Sequence, residues 1–197
     1  MWNDKFSREG FLYGKEPNAF LASQSTLLRP NSKLLMLGEG EGRTACHMAS
    51  LGHEVHALDA SDVGLAKTAA LAQEMGVDVK TIHADLSRWQ SDQEYDGIMT
   101  SFLHLPEPLR TKAFTHALDI LSSGSYFMGE FFAQEQMQRD TGGPKVLALL
   151  YTLESMKAIV TRDDIRIIKL EACVDHLSEG KGHQGEADLI RVIVQKL

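Results

Sequence analysis

Three glycines alternate with two glutamates at the end of the stretch Leu34 to Arg43, Leu-Leu-Met-Leu-Gly-Glu-Gly-Glu-Gly-Arg, directly after an apolar run. Glycine at positions 38, 40 and 42 lets the backbone take positive φ and brings main chain against a ligand, where any Cβ would intrude. Two acids stand at related places downstream. Asp59, 17 residues after Gly42, ends the alternating run that starts at His53, and Asp85 follows the run Val77 to His83. A carboxylate just past a strand in this pattern can accept hydrogen bonds from both ribose hydroxyls, the role expected of Asp59. Asp85 is placed to accept from an adenine amino group. The plainer alternatives are an ordinary tight turn at the glycines and a helix cap or loop acid at Asp85, but together the features predict an adenosine-containing cofactor.

The loop also bears on which cofactor. It reads G-x-G-x-G, whereas the dinucleotide fingerprint is G-x-G-x-x-G. Glu39 and Glu41 would crowd a pyrophosphate. Each close like-charge pair near a surface costs about 1 to 4 kcal/mol, and Arg43 is the one obvious counterweight. S-adenosylmethionine carries no phosphate and has a sulfonium cation, so the same loop suits it, with S-adenosylhomocysteine as the product.

These residues need elements to position them. Trp2, Phe6, Phe11 and Tyr13 form an aromatic-rich start that is expected to lie over something, and Pro17 to Leu28 reads as a helix stopped by Arg29-Pro30. From Ser32 strands alternate with helices: strand Lys33 to Leu37, helix Thr44 to Leu51, strand His53 to Leu58, a helix capped by Ser61 or Asp62 and closed by Gly76, and strand Val77 to His83. A fourth strand, Tyr95 to Ser101, precedes a helix from Pro106 to Leu121 and an exit at Ser122-Ser123-Gly124. Strand Ser125 to Phe131 and a helix from Val146 to about Ile159 follow. The pattern predicts an α/β fold, a mostly parallel sheet with helices on both faces. Ile165 to Val174 and Leu189 to Val194, joined by Ser178 to Glu186, read as a hairpin that makes the last strand antiparallel.

The 197 residues are expected to form a single domain, with residues 1–30 as a lid segment and 31–197 as the core. A net charge of -7 and the lack of a basic run argue against nucleic acid as a partner. No apolar run approaches ~20 residues, and the N-terminus lacks a leader pattern. A cytoplasmic protein with no membrane partner, a monomer or weak homodimer acting on a small molecule, is the expectation. The isolated Cys46 and Cys173 suggest neither a disulfide framework nor a thiolate zinc site. A dedicated metal site is rejected as well, since His53 and His56 point to opposite faces of a strand and no H-E-x-x-H spacing occurs.

The loop at 34–43, Asp59, the triplet Ala84-Asp85-Leu86 and the segment Tyr95-Asp96 to Pro106 resemble the successive motifs of class I S-adenosylmethionine-dependent methyltransferases. Tyr13 to Asn18, Gly40 to Arg43, His104-Leu105-Pro106 and Gly142-Gly143-Pro144 are more narrowly similar to the bacterial tellurite-resistance (TehB-type) and thiopurine-methyltransferase-like branch. The resemblance implies a Rossmann-like, seven-stranded sheet with its last strand antiparallel. It also implies cofactor contacts at Gly38, Gly40, Asp59, Ala60, Asp85, Leu86 and Ser101, with Arg43 on the methionyl carboxylate and Tyr13 in a lid. Met36 stands where the family usually has an acid, and Glu39, where a small residue or cysteine is common, is a carboxylate able to make good the loss. Ser122 to Ser125 replaces the usual Pro-Gly-Gly before strand five.

His104 follows strand four, which borders the sulfonium in this fold. It is either a loop residue or a neighbour of the transferring methyl. His183, in the terminal hairpin with His176, is a second candidate for a base or a substrate contact. Glu130 either faces the substrate or is a solvated acid, and Met99, Met128 and Met156 read as core. The functional expectation is methyl transfer to a small thiol, selenium or tellurium nucleophile, in which alignment matters more than a strong base. A non-catalytic protein that binds or senses S-adenosylmethionine is the alternative.

Overall fold

The structure, a computed structural model, describes residues 2–197. Its elements in chain order are α1 (Trp2–Phe6), α2 (Ala19–Ser23), β1 (Lys33–Leu37), α3 (Arg43–Ser50), β2 (Glu54–Asp59), α4 (Asp62–Met75), β3 (Val79–His83), β4 (Tyr95–Ser101), α5 (Glu107–Asp119), β5 (Leu121–Phe132), α6 (Leu153–Val160), β6 (Ile165–Glu179) and β7 (His183–Lys196). They build one seven-stranded sheet in the order β3-β2-β1-β4-β5-β7-β6. The strands from β3 to β5 pair in parallel, and β7 runs antiparallel between β5 and β6. The strand–helix alternation and the terminal hairpin in the sequence predict the parallel pairing and the antiparallel last strand, and the structure adds the strand order.

Side chains alternate across a strand, and β1 divides the core accordingly. Leu34 and Met36 pack with Phe20, Leu21, Ala45 and Met48 beneath α2 and α3, whereas Leu35 and Leu37 pack with Phe114, Tyr151 and Met156 on the face of α5 and α6. Met36 is wholly buried by this parity, as are Met99, Met128 and Met156. Helix α4 starts at an N-cap, Ser61, whose side chain accepts from the Gly64 N–H, and ends at Gly76 in the left-handed conformation.

Several boundaries differ from the expected ones. The helix expected over Pro17 to Leu28 is two pieces, because the Asn18 side chain caps α2 at the Leu21 N–H and the chain tightens to a 3₁₀ turn at Ser25–Leu27. Serine and threonine compete there with the helical backbone for hydrogen bonds. The helix expected from Val146 is interrupted at Tyr151, whose N–H bonds the Phe132 carbonyl, and restarts at a capping box of Thr152 and Ser155. Ser122 to Gly124, expected as an exit turn, lies inside β5, and the hairpin loop is much shorter than Ser178 to Glu186 because pairing runs out to Glu179 and His183.

Candidate active site

In an open α/β sheet ligands bind past the carboxyl ends of the strands, where the strand order reverses. Here the reversal falls between β1 and β4. A cleft of about 940 Å³, its mouth included, opens there. Gly38, Glu39, Gly40 and Arg43 line it from the loop after β1, Asp59 and Ala60 from the end of β2, and Asp85 and Leu86 from beyond β3. Ser101 and His104 line it after β4, and Tyr13 and His183 close it. The fold thus brings together the residues singled out for the cofactor with His104 and His183, and leaves Glu130 outside the cleft.

The loop is held open by its own acids. Gly40 and Gly42 take φ of 66° and 88°, and Asp59 reaches across so that Oδ2 accepts from the Gly40 N–H at 2.9 Å and Oδ1 from the Ser61 N–H at 2.7 Å. Burial raises the Asp59 carboxyl, and these amides pull it partly back. Glu39 Oε1 accepts from the Thr44 and Ala45 N–H groups at 3.0 and 2.8 Å, capping the start of α3 where the helix end favours negative charge. The second Glu39 oxygen has no partner among the described residues. Since no buried side-chain oxygen lacks one among the described residues, it opens on the cleft. Burial pushes this carboxyl up to about 7. Glu41 also lines the cleft, but both its oxygens are engaged: Oε2 accepts from the Leu12 N–H and Oε1 pairs with Lys67 Nζ, both at 2.8 Å, tying the N-terminal segment to α4. Asp85 is exposed, and one of its oxygens accepts from the Ser87 N–H at 2.8 Å, so the capping role and a place at the rim of the cleft coincide.

The other end of the cleft is aromatic. Trp2 and Phe6 line it, and the His104 ring lies between Trp2 at 6.0 Å and Phe132 at 6.1 Å. His104 makes no hydrogen bond among the described residues, and burial drives its pKa down to about 3, so the imidazole is neutral. His183 is packed by Tyr13, Phe102 and Phe132 at 4.4, 4.5 and 5.0 Å between ring centres. Burial pushes the Tyr13 hydroxyl up to about 12. Phe102 has a φ of 52° at the end of β4, a conformation non-glycine residues seldom adopt. The loop that carries His104 is fastened from below by Arg110, which donates to the carbonyls of Leu105, Ala148 and Leu150 and stacks on Tyr151.

Two buried residues behind the cleft, Glu179 and Asn18, have no role that the sequence points to. Glu179 is buried between Arg43 and His183, with Oε2 2.8 Å from Arg43 Nη2 and 3.1 Å from His183 Nδ1. Asn18 donates from Nδ2 to Glu130 at 2.7 Å and to Glu179 at 3.2 Å. The spacing of Glu179 and His183 around Gly180-Lys181-Gly182 is the one cue that could have flagged the pair, since a tight turn sets such residues opposite each other. Arg43 is accordingly spent on Glu179 and the Glu16 carbonyl. Glu130 is neither a solvated acid nor a wall of the cleft: it is buried and bonded to Asn18 and Arg191. Among the described residues no cluster of three histidine, cysteine or acidic side chains is suited to a metal ion.

Residues 34–124 match the family described as a methyltransferase domain. A protein-L-isoaspartate O-methyltransferase of Salinibacter ruber is 31% identical over 94 residues, 45% of this chain and 41% of that protein, so the match spans less than half of the curated relative. Among solved structures, TehB from Haemophilus influenzae superposes with a TM-score of 0.75 at 15% identity, covering 100% of this chain and 66% of that one. An S-adenosylmethionine-dependent methyltransferase from Clostridium acetobutylicum gives 0.70 at 14% identity over 98% and 95%. The magnesium protoporphyrin IX methyltransferase of Synechocystis, with S-adenosylhomocysteine bound, gives 0.68 at 15% identity over 91% and 79%. The chain has the Rossmann-like methyltransferase fold these structures share.

Proposed function

We propose that the protein is an S-adenosylmethionine-dependent methyltransferase acting on a small molecule. The observation that carries this reading is the donor set of the cleft: Glu39, Asp59 and Asp85 on one side, no lysine, and one arginine already paired. Such a set repels a pyrophosphate and suits a cofactor with a ribose, an ammonium and a sulfonium. Asp59 and Asp85 would hold the ribose and the adenine, Leu86 would cover the base, and Gly38, Gly40, Ala60 and Ser101 would offer backbone and small polar contacts. The outward oxygen of Glu39 would take the ammonium, in place of the acid the family has at position 36, and the remaining N–H groups of Arg43 the carboxylate.

When bound, the cofactor supplies an electrophilic methyl group on a cationic sulfur. The chain's own contribution is alignment and a dry site. Trp2, Phe6 and Tyr13 are placed as a lid, and His104 and His183 as the polar groups that meet the acceptor. Small thiols, selenite and tellurite are the acceptors to try first, supported by the TehB-like fold and motifs. A cytoplasmic, weakly associating protein belongs to the same proposal. Among the described residues no helix is long and apolar enough to cross a membrane, and the edge strand β6 carries charges at Arg166, Lys169, Glu171 and Asp175 that discourage edge pairing.

Incubation with labelled S-adenosylmethionine and that panel is the test: S-adenosylhomocysteine that accumulates only with an acceptor supports the reading. Tight cofactor binding without turnover on any acceptor would favour the alternative, a protein that senses or sequesters the cofactor. Its support is that the adenosine side of the cleft is complete by itself.

A further inference from the structure

We infer that Glu179 and His183 form the proton-accepting pair of this site, positioned by Asn18 and Arg43, and that the methyl acceptor carries a removable proton on its nucleophilic atom. This rests on the methyl-transfer reading above and narrows its acceptor class to neutral thiols, hydroxyls or amines, excluding oxyanions.

The pair is built by the hairpin. Glu179 ends β6 and His183 begins β7, directly opposed in the register across the turn Gly180-Lys181-Gly182. Both are buried, at 8% and 2% exposure. Burial alone would raise the Glu179 carboxyl, but the contacts with His183 and Arg43 hold it below the usual range, so it is ionised and can only accept. The proton between them therefore sits on His183 Nδ1, which leaves the lone pair on Nε2. Nε2 has no hydrogen-bond partner among the described residues. Because no buried side-chain nitrogen is unpaired among the described residues, Nε2 must open on the cleft that His183 lines.

The charged and titratable groups around the imidazole favour this role. Arg43 from α3 and Lys5 from α1 disfavour a second proton, as burial does, and Glu179 favours it. The resting ring is held below its ordinary value and is neutral, yet a proton arriving at Nε2 creates an imidazolium beside a carboxylate. Tyr13 and His104 face the ring and are uncharged at neutral pH. Among the described residues no lysine lines the cleft, and its one arginine, Arg43, is shared between Glu179 and, in the reading above, the methionyl carboxylate, which leaves no cation for an oxyanion acceptor.

In the step itself, the acceptor's bond to hydrogen breaks and its proton passes to Nε2. The acceptor's electron pair forms the new bond to the methyl carbon, and the pair of the broken carbon–sulfur bond stays on sulfur. The positive charge that was on sulfur ends on the imidazolium, which returns its proton to water.

The test combines nitrogen-15 NMR of the histidine rings with kinetics. Wild-type protein should show His183 as the Nδ1–H tautomer at pH 7, and Glu179→Ala should remove that preference. His183→Gln should bind S-adenosylhomocysteine within threefold of wild type, which also reports that it folds. It should lose about 100-fold or more in kcat on an alkyl thiol, the usual scale of general-base catalysis, and much less on an aryl thiol already ionised at pH 7. An Nε2–H tautomer in the wild type, an equal loss on both thiols, or tellurite turned over faster than every neutral acceptor would each overturn the pair's role with the methyltransferase reading intact. Failure of wild-type protein to bind S-adenosylhomocysteine would overturn the reading on which the pair rests.

Discussion

Asp59 Oδ2 accepts a hydrogen bond from the backbone N–H of Gly40 at 2.9 Å. The acid proposed for the ribose is thus also the post that shapes the glycine loop, so its loss should be felt without any ligand. Asp59→Ala is expected to weaken S-adenosylmethionine binding by about 1.5 to 3 kcal/mol, the range for a hydrogen bond to a charged group, and to lower the stability of the free protein as well. Calorimetry and urea unfolding read the two effects separately. Unchanged affinity would show that the ribose assignment is wrong.

Glu39 should couple cofactor binding to pH. Burial puts its carboxyl at about 7, above the ordinary 4.5, with the Ala45 amide, Arg43 and the Thr44 amide pulling it partly back. The folded state then binds this proton more tightly than the unfolded one. The group's contribution to stability is gained as pH falls from about 7 towards 4.5 and lost as pH rises through that window. A cation at the outward oxygen favours the ionised form, so binding at pH 7 should release a proton and weaken at lower pH. Binding heats in two buffers of different ionisation enthalpy measure the release, and Glu39→Gln should abolish it.

Gly42→Ala should damage the fold more than the same change at Gly76. Both positions are left-handed, at φ of 88° and 67°, but a Cβ at 42 would lie 2.7 Å from the Thr68 Cα and one at 76 would meet nothing within 4 Å. Gly76→Ala is expected to cost about 1 to 2 kcal/mol from the backbone alone. Gly42→Ala should exceed it, because α4 must move. Equal urea midpoints for the two variants would rule out the close approach of α4 to the loop.

Arg110 should be a stability residue that is read out at His104. Its guanidinium holds three carbonyls, of which that of Leu150 would otherwise be buried without a donor. Arg110→Ala is expected to cost about 1 to 3 kcal/mol, the range for a stranded buried polar group. At temperatures where the variant is folded, the ring resonances of His104 should broaden or shift while those of His53, on the far side of the sheet's core, stay put.

How far the sequence was legible follows the range of the forces involved. The strands, the parallel order and the hairpin are written in local periodicity and in glycine, and Asp59 and Asp85 are found because a parallel sheet places strand ends side by side. The breaks in helix Pro17 to Leu28 and in the helix from Val146 escape the sequence because the first comes from a tightening to a 3₁₀ turn after Ser23 and the second from a restart at the Thr152 cap, both local departures from propensity. The aromatic start was expected to cover something, and it does wall the cleft.

By itself, then, the sequence determined the sheet, the turn of backbone at Gly38 to Gly42 and the acids that face it, since these depend on patterns a few residues long. Tertiary structure decided two things. Strand parity buries Met36 and leaves Glu39 as the carboxylate at the loop. The meeting of Asn18, Arg43, Glu179 and His183 has no period to betray it: four polar side chains from three distant parts of the chain become neighbours only when the sheet and the segments over it assemble, and burial then makes each one's hydrogen bonds obligatory.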